Sequence, residues 1–368
     1  MGGAERQALY FVEHLAAIGR RPAVLTFSDG PALRPSLDQL GVPVHAFDYY
    51  GMWSAARRTR TLARIALHLR LQVKPQAILP FGSPASKATG LIWRRAAARY
   101  TWWNQQDEGR GLGGTATERR ILLNVPDVTS NSWAGRDFLA STYGLNPSKI
   151  RVYNNGTPLP DQDNPPGRWR TRLDAGDRPI VAMIANVTPF KDHETLIEAW
   201  QQVKAAFPPG REPLLALAGY AENAKLQSAI KTRAFDLGLS SNDVRFLGAI
   251  DDVEGLIRDS QLVVHSSVTE GCPNSVCEAM AVGRAIVASD IPGCRQALGD
   301  SKEQLVPGKD AASLGRRIVD LLNDDNVRQQ IGMRNRQRIR TEFSIEKMNS
   351  FFTDLMDSGV ARASAQNP

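Results

Sequence analysis

Two carboxylates and a helix start share one short stretch of this chain. Between Gln261 and Asp290 its centre reads Glu270-Gly-Cys-Pro-Asn-Ser-Val-Cys-Glu278. The residues before it, Leu262-Val-Val-His-Ser-Ser267, have the length and β-branching of a buried strand. Val276, Ala279 and Met280 then fall at helical spacing, Gly283 offers a stop, and Ala285-Ile-Val-Ala288 predicts the next strand. Strand, loop, helix and strand in that order open the loop at the carboxyl end of a parallel strand, where open α/β sheets bind ligands. Pro273, Asn274 and Ser275 stand at the helix start, with Asn or Ser as the expected cap. The first turn leaves backbone N–H groups unpaired and carries the positive end of the helix dipole, so it suits a phosphate. Glu278 comes one turn further in, Glu270 sits on the strand side, and each can accept bonds from hydroxyls. A diphosphate between two polyhydroxylated groups fits this order, and a sugar nucleotide is such a molecule.

The same stretch resembles the Glu-x7-Glu motif of the retaining glycosyltransferases of family 4, which have the GT-B fold. Two glutamates at this spacing also suit an ordinary βαβ unit. The likeness, however, runs from Gly2 to about Met356 and is densest between Lys191 and Gly293. It implies an α/β protein of two Rossmann-like domains whose parallel sheets face a cleft. Residues 1–157 would form the acceptor-side domain, 158–177 a linker, and 178–344 the nucleotide-sugar-binding domain. Residues 345–368 would hold a helix packing back on the first domain and a tail, disordered from Ser364. The implied activity is transfer of a sugar from a UDP- or GDP-linked donor to an acceptor hydroxyl, with retention. Polysaccharide or lipid-linked glycan synthesis is the implied setting, with no metal and no tightly bound cofactor.

By that resemblance Glu270 would hold the donor sugar, Glu278 the ribose, and Lys191 the diphosphate. Lys191 also stands out by itself, because a lysine is poorly placed at a helix start. The remaining donor-side positions carried over are Gly3, Asn186, Gly219, Leu247, Cys272, Pro273, Asn274, Ser275 and Val276. Asn186 falls where relatives commonly use an arginine, and Gln296 lies near a position that is often glutamate. Asp107 is the third catalytic candidate beside Glu270 and Lys191. It follows Tyr100-Thr-Trp-Trp-Asn-Gln-Gln, where many members carry a histidine, and its plainer role is a turn residue.

Composition narrows the alternatives. The chain of 368 residues is long enough for two α/β cores, and 23% charged with 42% hydrophobic residues is ordinary for a globular protein. It holds no apolar run of membrane-spanning length. Three cysteines (Cys272, Cys277, Cys294) without metal-like spacing suit a reducing cytosol, so a cytoplasmic location is expected. Residues 1–157 carry 20 Lys+Arg against 10 Asp+Glu, whereas the remainder carries 25 against 28. A basic first half favours anionic partners. One helix, expected over 54–72, bears Arg57, Arg58, Arg60, Arg64 and Arg70 opposite Leu62, Ile65, Ala66 and Leu69. Such a helix either packs on its sheet or rests on an anionic membrane surface, peripheral to the inner face of the plasma membrane. No nucleic-acid motif accompanies the charge, so nucleic acid is not an expected partner.

Elsewhere Met1-Gly-Gly-Ala-Glu-Arg6 leads directly into a helix ending near Gly19, without the strand that relatives place before it. An internal methionine taken as the start is the expectation. Asp161-Gln-Asp163 matches a metal-binding pair formally, but its Pro- and Gly-rich surroundings predict a solvated loop. A nucleotide-sugar epimerase of the same fold, or a non-catalytic binder, are the rival functions.

Overall fold

The structure, a computed structural model, describes residues 2–28, 33–49, 54–161, 168–221 and 223–366. Asp163 therefore lies outside the described residues. The chain divides into two compact units, residues 1–156 with 345–368 and residues 157–344.

The first unit begins with α1 (Gly3–Ala17), β1 (Val24–Thr26), α2 (Arg34–Gln39), β2 (Val44–Ala46) and α3 (Ala55–His68). It continues with β3 (Ala77–Ile78), α4 (Ser83–Ile92), β4 (Tyr100–Gln105), α5 (Ala116–Asn124), β5 (Asp127–Ser130), α6 (Trp133–Tyr143) and β6 (Ile150–Val152). Strands β1 and β2 form one parallel pair, and β3-β4-β5-β6 form a parallel sheet beside it in sequence order. Leu25, Phe27, Phe47 and Ile78 nevertheless share one apolar cluster with Ile65, Ala66 and Leu69 of the α3 region and with Ile92 and Ala96. The expected helix over 54–72 is α-helical only to His68. Residues 69–73 widen into a π turn that ends at Lys74 in the left-handed region, where its N–H donates back to the Leu69 carbonyl. Helix α4 starts at Ser83, directly after Gly82. Pro84 pre-sets the first turn, and Gly82 supplies the φ of +90° that precedes it.

The second unit contains α7 (Trp169–Arg172), β7 (Ile180–Ile184), α8 (His193–Ala205), β8 (Leu214–Ala218), α9 (Ala224–Asp236), β9 (Val244–Gly248) and α10 (Val253–Asp259). There follow β10 (Leu262–His265), α11 (Asn274–Val282), β11 (Ile286–Ser289), α12 (Pro292–Leu298), β12 (Leu305–Val306), α13 (Ala311–Leu322) and α14 (Asp325–Glu342). Six parallel strands run in the order β12-β11-β10-β7-β8-β9. Central β7 is apolar throughout because helices cover both its faces: Val181 and Met183 pack with Trp200, and Ile180 and Ala182 with Trp169. That second contact corrects the linker reading of 158–177. Trp169, Leu173 and Ala175 are core residues of this unit, and Asp259 accepts from the Trp169 N–H at 2.7 Å.

The chain then returns to the first unit as α15 (Ile345–Gln366). Phe352 packs against Phe11, Trp102 and Tyr153. The helix also continues through Ser364, where disorder was expected. Arg362 pairs with Asp127 at 2.6 Å, and Arg99 donates to Ser364 at 3.1 Å, so the last turns are tied to the sheet.

Candidate functional site

Because all strands of the second unit are parallel, the loops after β7, β8, β9 and β10 open along one edge of its sheet. Lys191, Gly219, Leu247 and Glu270 all belong to that edge. The loop after β7 is bound to the loop after β10. Phe190 accepts through its carbonyl from the Val268 N–H at 2.8 Å and from the Ser267 hydroxyl at 2.9 Å. Lys191 consequently reaches Glu270 and forms an ion pair with it. His193, at the start of α8, holds the other side of this loop through its ring Nδ1 and the Lys191 carbonyl.

Glu270 is 5% exposed, and its bonds are lopsided. Oε1 accepts from Lys191, from the Ser267 hydroxyl at 2.9 Å and from His265 Nε2 at 3.0 Å. Among the described residues no donor reaches Oε2. Burial by itself would raise this carboxyl, but the His265 bond and the Lys191 charge hold it well below the usual carboxylate range. One oxygen is thus anchored by three donors, and the other carries none of these bonds.

The helix end differs from expectation in two respects. The cap of α11 is Pro273, and neither Asn274 nor Ser275 caps it, because both already belong to the first turn. The Val276 N–H is occupied by the Pro273 carbonyl at 3.1 Å, so Val276 supplies no free donor, and its side chain is core. Ser275 N–H has no acceptor among the described residues. Glu278 lies half-buried on the next turn.

Other predicted residues have structural work. Asn186 is exposed, and its Oδ1 accepts from the Tyr220 N–H at 3.1 Å, joining the ends of β7 and β8. Gly219 was expected to admit a ligand. A Cβ there would stand 2.0 Å from the Ala185 carbonyl oxygen, so the neighbouring strand already takes that space. Leu247 packs partly buried beside Leu214 and Ala216. Cys272 is buried in the core around α11, where it and burial together push the Cys277 thiol upward.

Two predicted residues lie in the first unit. Gly3 is the exposed first residue of α1, where Glu5 accepts from the Gly2 N–H at 2.7 Å. Asp107 follows β4, and its Oδ1 accepts from Gln105 Nε2 at 2.6 Å and from the Gly109 N–H at 2.8 Å. It is a turn-holding carboxylate whose pKa burial raises. Nearby Asn104, fully buried, accepts from the Tyr153 hydroxyl at 2.8 Å, while its amide nitrogen has no partner among the described residues.

Residues 178–324 match the family model described as glycosyl transferases group 1, and residues 1–159 match the model described as Glycosyltransferase Family 4. The chain belongs to glycosyltransferase family 4. An N,N'-diacetylbacillosaminyl-diphospho-undecaprenol alpha-1,3-N-acetylgalactosaminyltransferase of Campylobacter jejuni is 32% identical over 44% of this chain, and the match spans 39% of its own length. A GDP-mannose-dependent monoacylated alpha-(1-6)-phosphatidylinositol monomannoside mannosyltransferase of Corynebacterium glutamicum is 25% identical, covering 77% of this chain and 74% of its own. Among solved structures, HepE of Anabaena in complex with UDP and glucose has a TM-score of 0.82 at 21% identity. It covers 97% of this family 4 chain and 96% of its own, and establishes the GT-B fold.

His265 is the site residue that sequence reasoning missed. A histidine inside a fully buried strand was the available signal, since such a side chain needs partners.

Proposed function

We propose that this protein transfers a sugar, with retention, from a nucleotide-sugar to an acceptor hydroxyl on a glycan or lipid-linked precursor. The observation that carries the donor half is the Lys191–Glu270 pair set beside the first turn of α11. Glu270 Oε2 would accept from a donor-sugar hydroxyl, and Glu278 from the ribose. As the glycosidic bond breaks, the diphosphate gains negative charge. Lys191 and the Ser275 N–H would stabilise it as preorganised donors. No side chain is assigned as nucleophile, and Asp107 is left out of the chemistry because its carboxylate holds a turn. The buried Asn104 amide, with its unpartnered hydrogens at the end of β4, supports an acceptor site in the first unit. The base is open: HepE is seen with UDP, whereas the Corynebacterium relative is named for GDP-mannose.

A thermal-shift panel of UDP-, GDP- and ADP-linked sugars tests the donor half. One base class should raise Tm, by about 2.7 kcal/mol of added stability at 100 times Kd, and Glu278→Ala should abolish that rise. A rise unchanged by Glu278→Ala would sink the assignment, as would no rise with any donor.

A membrane-facing location is the second part of the proposal. No helix among the described residues is long and apolar enough to cross a membrane. On α3 and the π turn, Arg57, Arg58, Arg60, Arg64 and Arg70 are all exposed, and none forms an ion pair among the described residues. Leu67 and Leu71, one turn apart, are 56% and 55% exposed beside them. Cations flanking exposed leucines suit an anionic bilayer surface at the cytoplasmic face. Arg58→Glu with Arg64→Glu should weaken flotation with phosphatidylglycerol vesicles by roughly 30-fold, at about 1 kcal/mol per basic residue. Equal binding to neutral phosphatidylcholine vesicles would refute this surface.

A further inference from the structure

His265 ends β10 and is 1% exposed, between two polar side chains that the donor reading uses separately. Its Nε2 stands 3.0 Å from Glu270 Oε1, and its Nδ1 stands 3.2 Å from Ser275 Oγ. A carboxylate only accepts, so Nε2 carries the hydrogen, and Nδ1 accepts from the Ser275 hydroxyl. The rest of β10, Leu262, Val263 and Val264, is apolar, and packing alone would be met by another apolar residue. Burying an imidazole here is costly unless both its ends are bonded, and both are.

We propose that His265 is a positioning residue that ties the Glu270 carboxylate to Ser275 in the first turn of α11. The sugar-side and diphosphate-side groups of the donor site would then keep one register. This inference rests on the donor-site reading. Of the three donors on Glu270 Oε1, only His265 also fixes a residue of the helix end. Lys191 and Ser267 hold the carboxylate from the loops, but neither bonds to Ser275.

The bond pattern has a pH signature. Lys191 and His193 face the ring from the loop after β7 and the start of α8, Glu270 from the loop after β10, and Ser275 from α11. Burial first, and then the Lys191 charge, push the ring below the ordinary histidine value. Protonation would place a hydrogen on Nδ1, reverse the Ser275 bond and add a second cation beside Lys191.

The test compares His265→Phe, Ser275→Ala and their double variant. Each single change should lower kcat/KM for the nucleotide-sugar roughly 10- to 100-fold through misplacement of the reacting groups. Binding of free UDP or GDP, which lacks the sugar that Glu270 holds, should weaken by less than kcat/KM falls. The double variant should be no worse than His265→Phe, as coupled residues require. Wild type should lose activity in an acid limb that lies below the ordinary histidine range, and His265→Phe should lose that limb. Effects that multiply in the double variant, or an acid limb that persists unmoved, overturn the proposal. A second readout needs no turnover: imidazole ¹⁵N NMR of the wild-type chain should show the Nε2–H tautomer at His265. The Nδ1–H tautomer would overturn the bond pattern even if His265→Phe does not fold. Absence of donor binding by wild type would instead refute the donor-site reading, leaving the tautomer to decide the positioning bond.

Discussion

Lys191→Met should lower kcat/KM for the nucleotide-sugar by about two to three orders of magnitude, the usual cost of removing one preorganised donor from developing charge. Lys191 is suited to that role because its loop is not free to drift. Phe190 is bonded to Ser267 and Val268, and His193 grips the Lys191 carbonyl from α8. The methionine variant keeps the length of the side chain but presents no charge to a diphosphate. Lys191→Arg should recover only part of the loss, since a planar fork does not replace a compact ammonium aimed at one oxygen. The same substitution also changes stability with pH. The Glu270 carboxyl is held below its ordinary value in the fold, so its contribution is fully present above that value. It is lost as pH falls through the depressed one. Without Lys191 the depression shrinks, although the His265 and Ser267 bonds remain. The variant should therefore be less stable near neutrality, and its stability should fall less steeply between pH 5 and pH 2. Steady-state kinetics with chemical denaturation across pH measures both. Wild-type kcat/KM in Lys191→Met would remove the lysine from the chemistry.

The part of the site that is legible in the sequence is the part that is contiguous. Glu270, the helix start after Pro273 and Glu278 follow one another along a strand–loop–helix unit whose period and stop signal are plain. Pairings across the sheet edge are another matter. Lys191 and Glu270 are 79 residues apart and meet because β7 and β10 are adjacent in a sheet order that periodicity does not specify. His265 was hidden for a related reason. It stands in an apolar run, and its partners at Glu270 and Ser275 come within reach only after the loop folds back over the strand end. The linker reading failed at Trp169 because residues 158–167 are rich in Pro, Gly and Asp while the core side chains begin just beyond them. Asp107 shows the reverse case. A carboxylate in a polar loop at a strand end reads as chemistry, yet bonds to Gln105 and Gly109 explain it.

Gly293→Ala should disrupt the site through its backbone, without removing any charged group. Pro292 opens α12, and Gly293 lies buried in its first turn. A Cβ at Gly293 would stand 2.3 Å from the Gly271 carbonyl oxygen and 2.4 Å from that of Glu270. Both are backbone atoms of the loop that carries Glu270, so no side chain can swing aside to make room. Either α12 leaves the core packed around Cys294 and Ala297, or residues 270–271 move by on the order of 1 Å, enough to cost about 100-fold in rate. Movement of Glu270 would also break its contacts with Lys191, Ser267 and His265 together. The expected result is a loss of roughly 1–3 kcal/mol from overpacking. With it, kcat/KM should fall at least about 100-fold. Gly308→Ala is the matched control: nothing lies within 4 Å of its Cβ, and its stability should stay within about 0.5 kcal/mol of wild type. Donor turnover by Gly293→Ala at the control's rate would mean that the loop tolerates displacement.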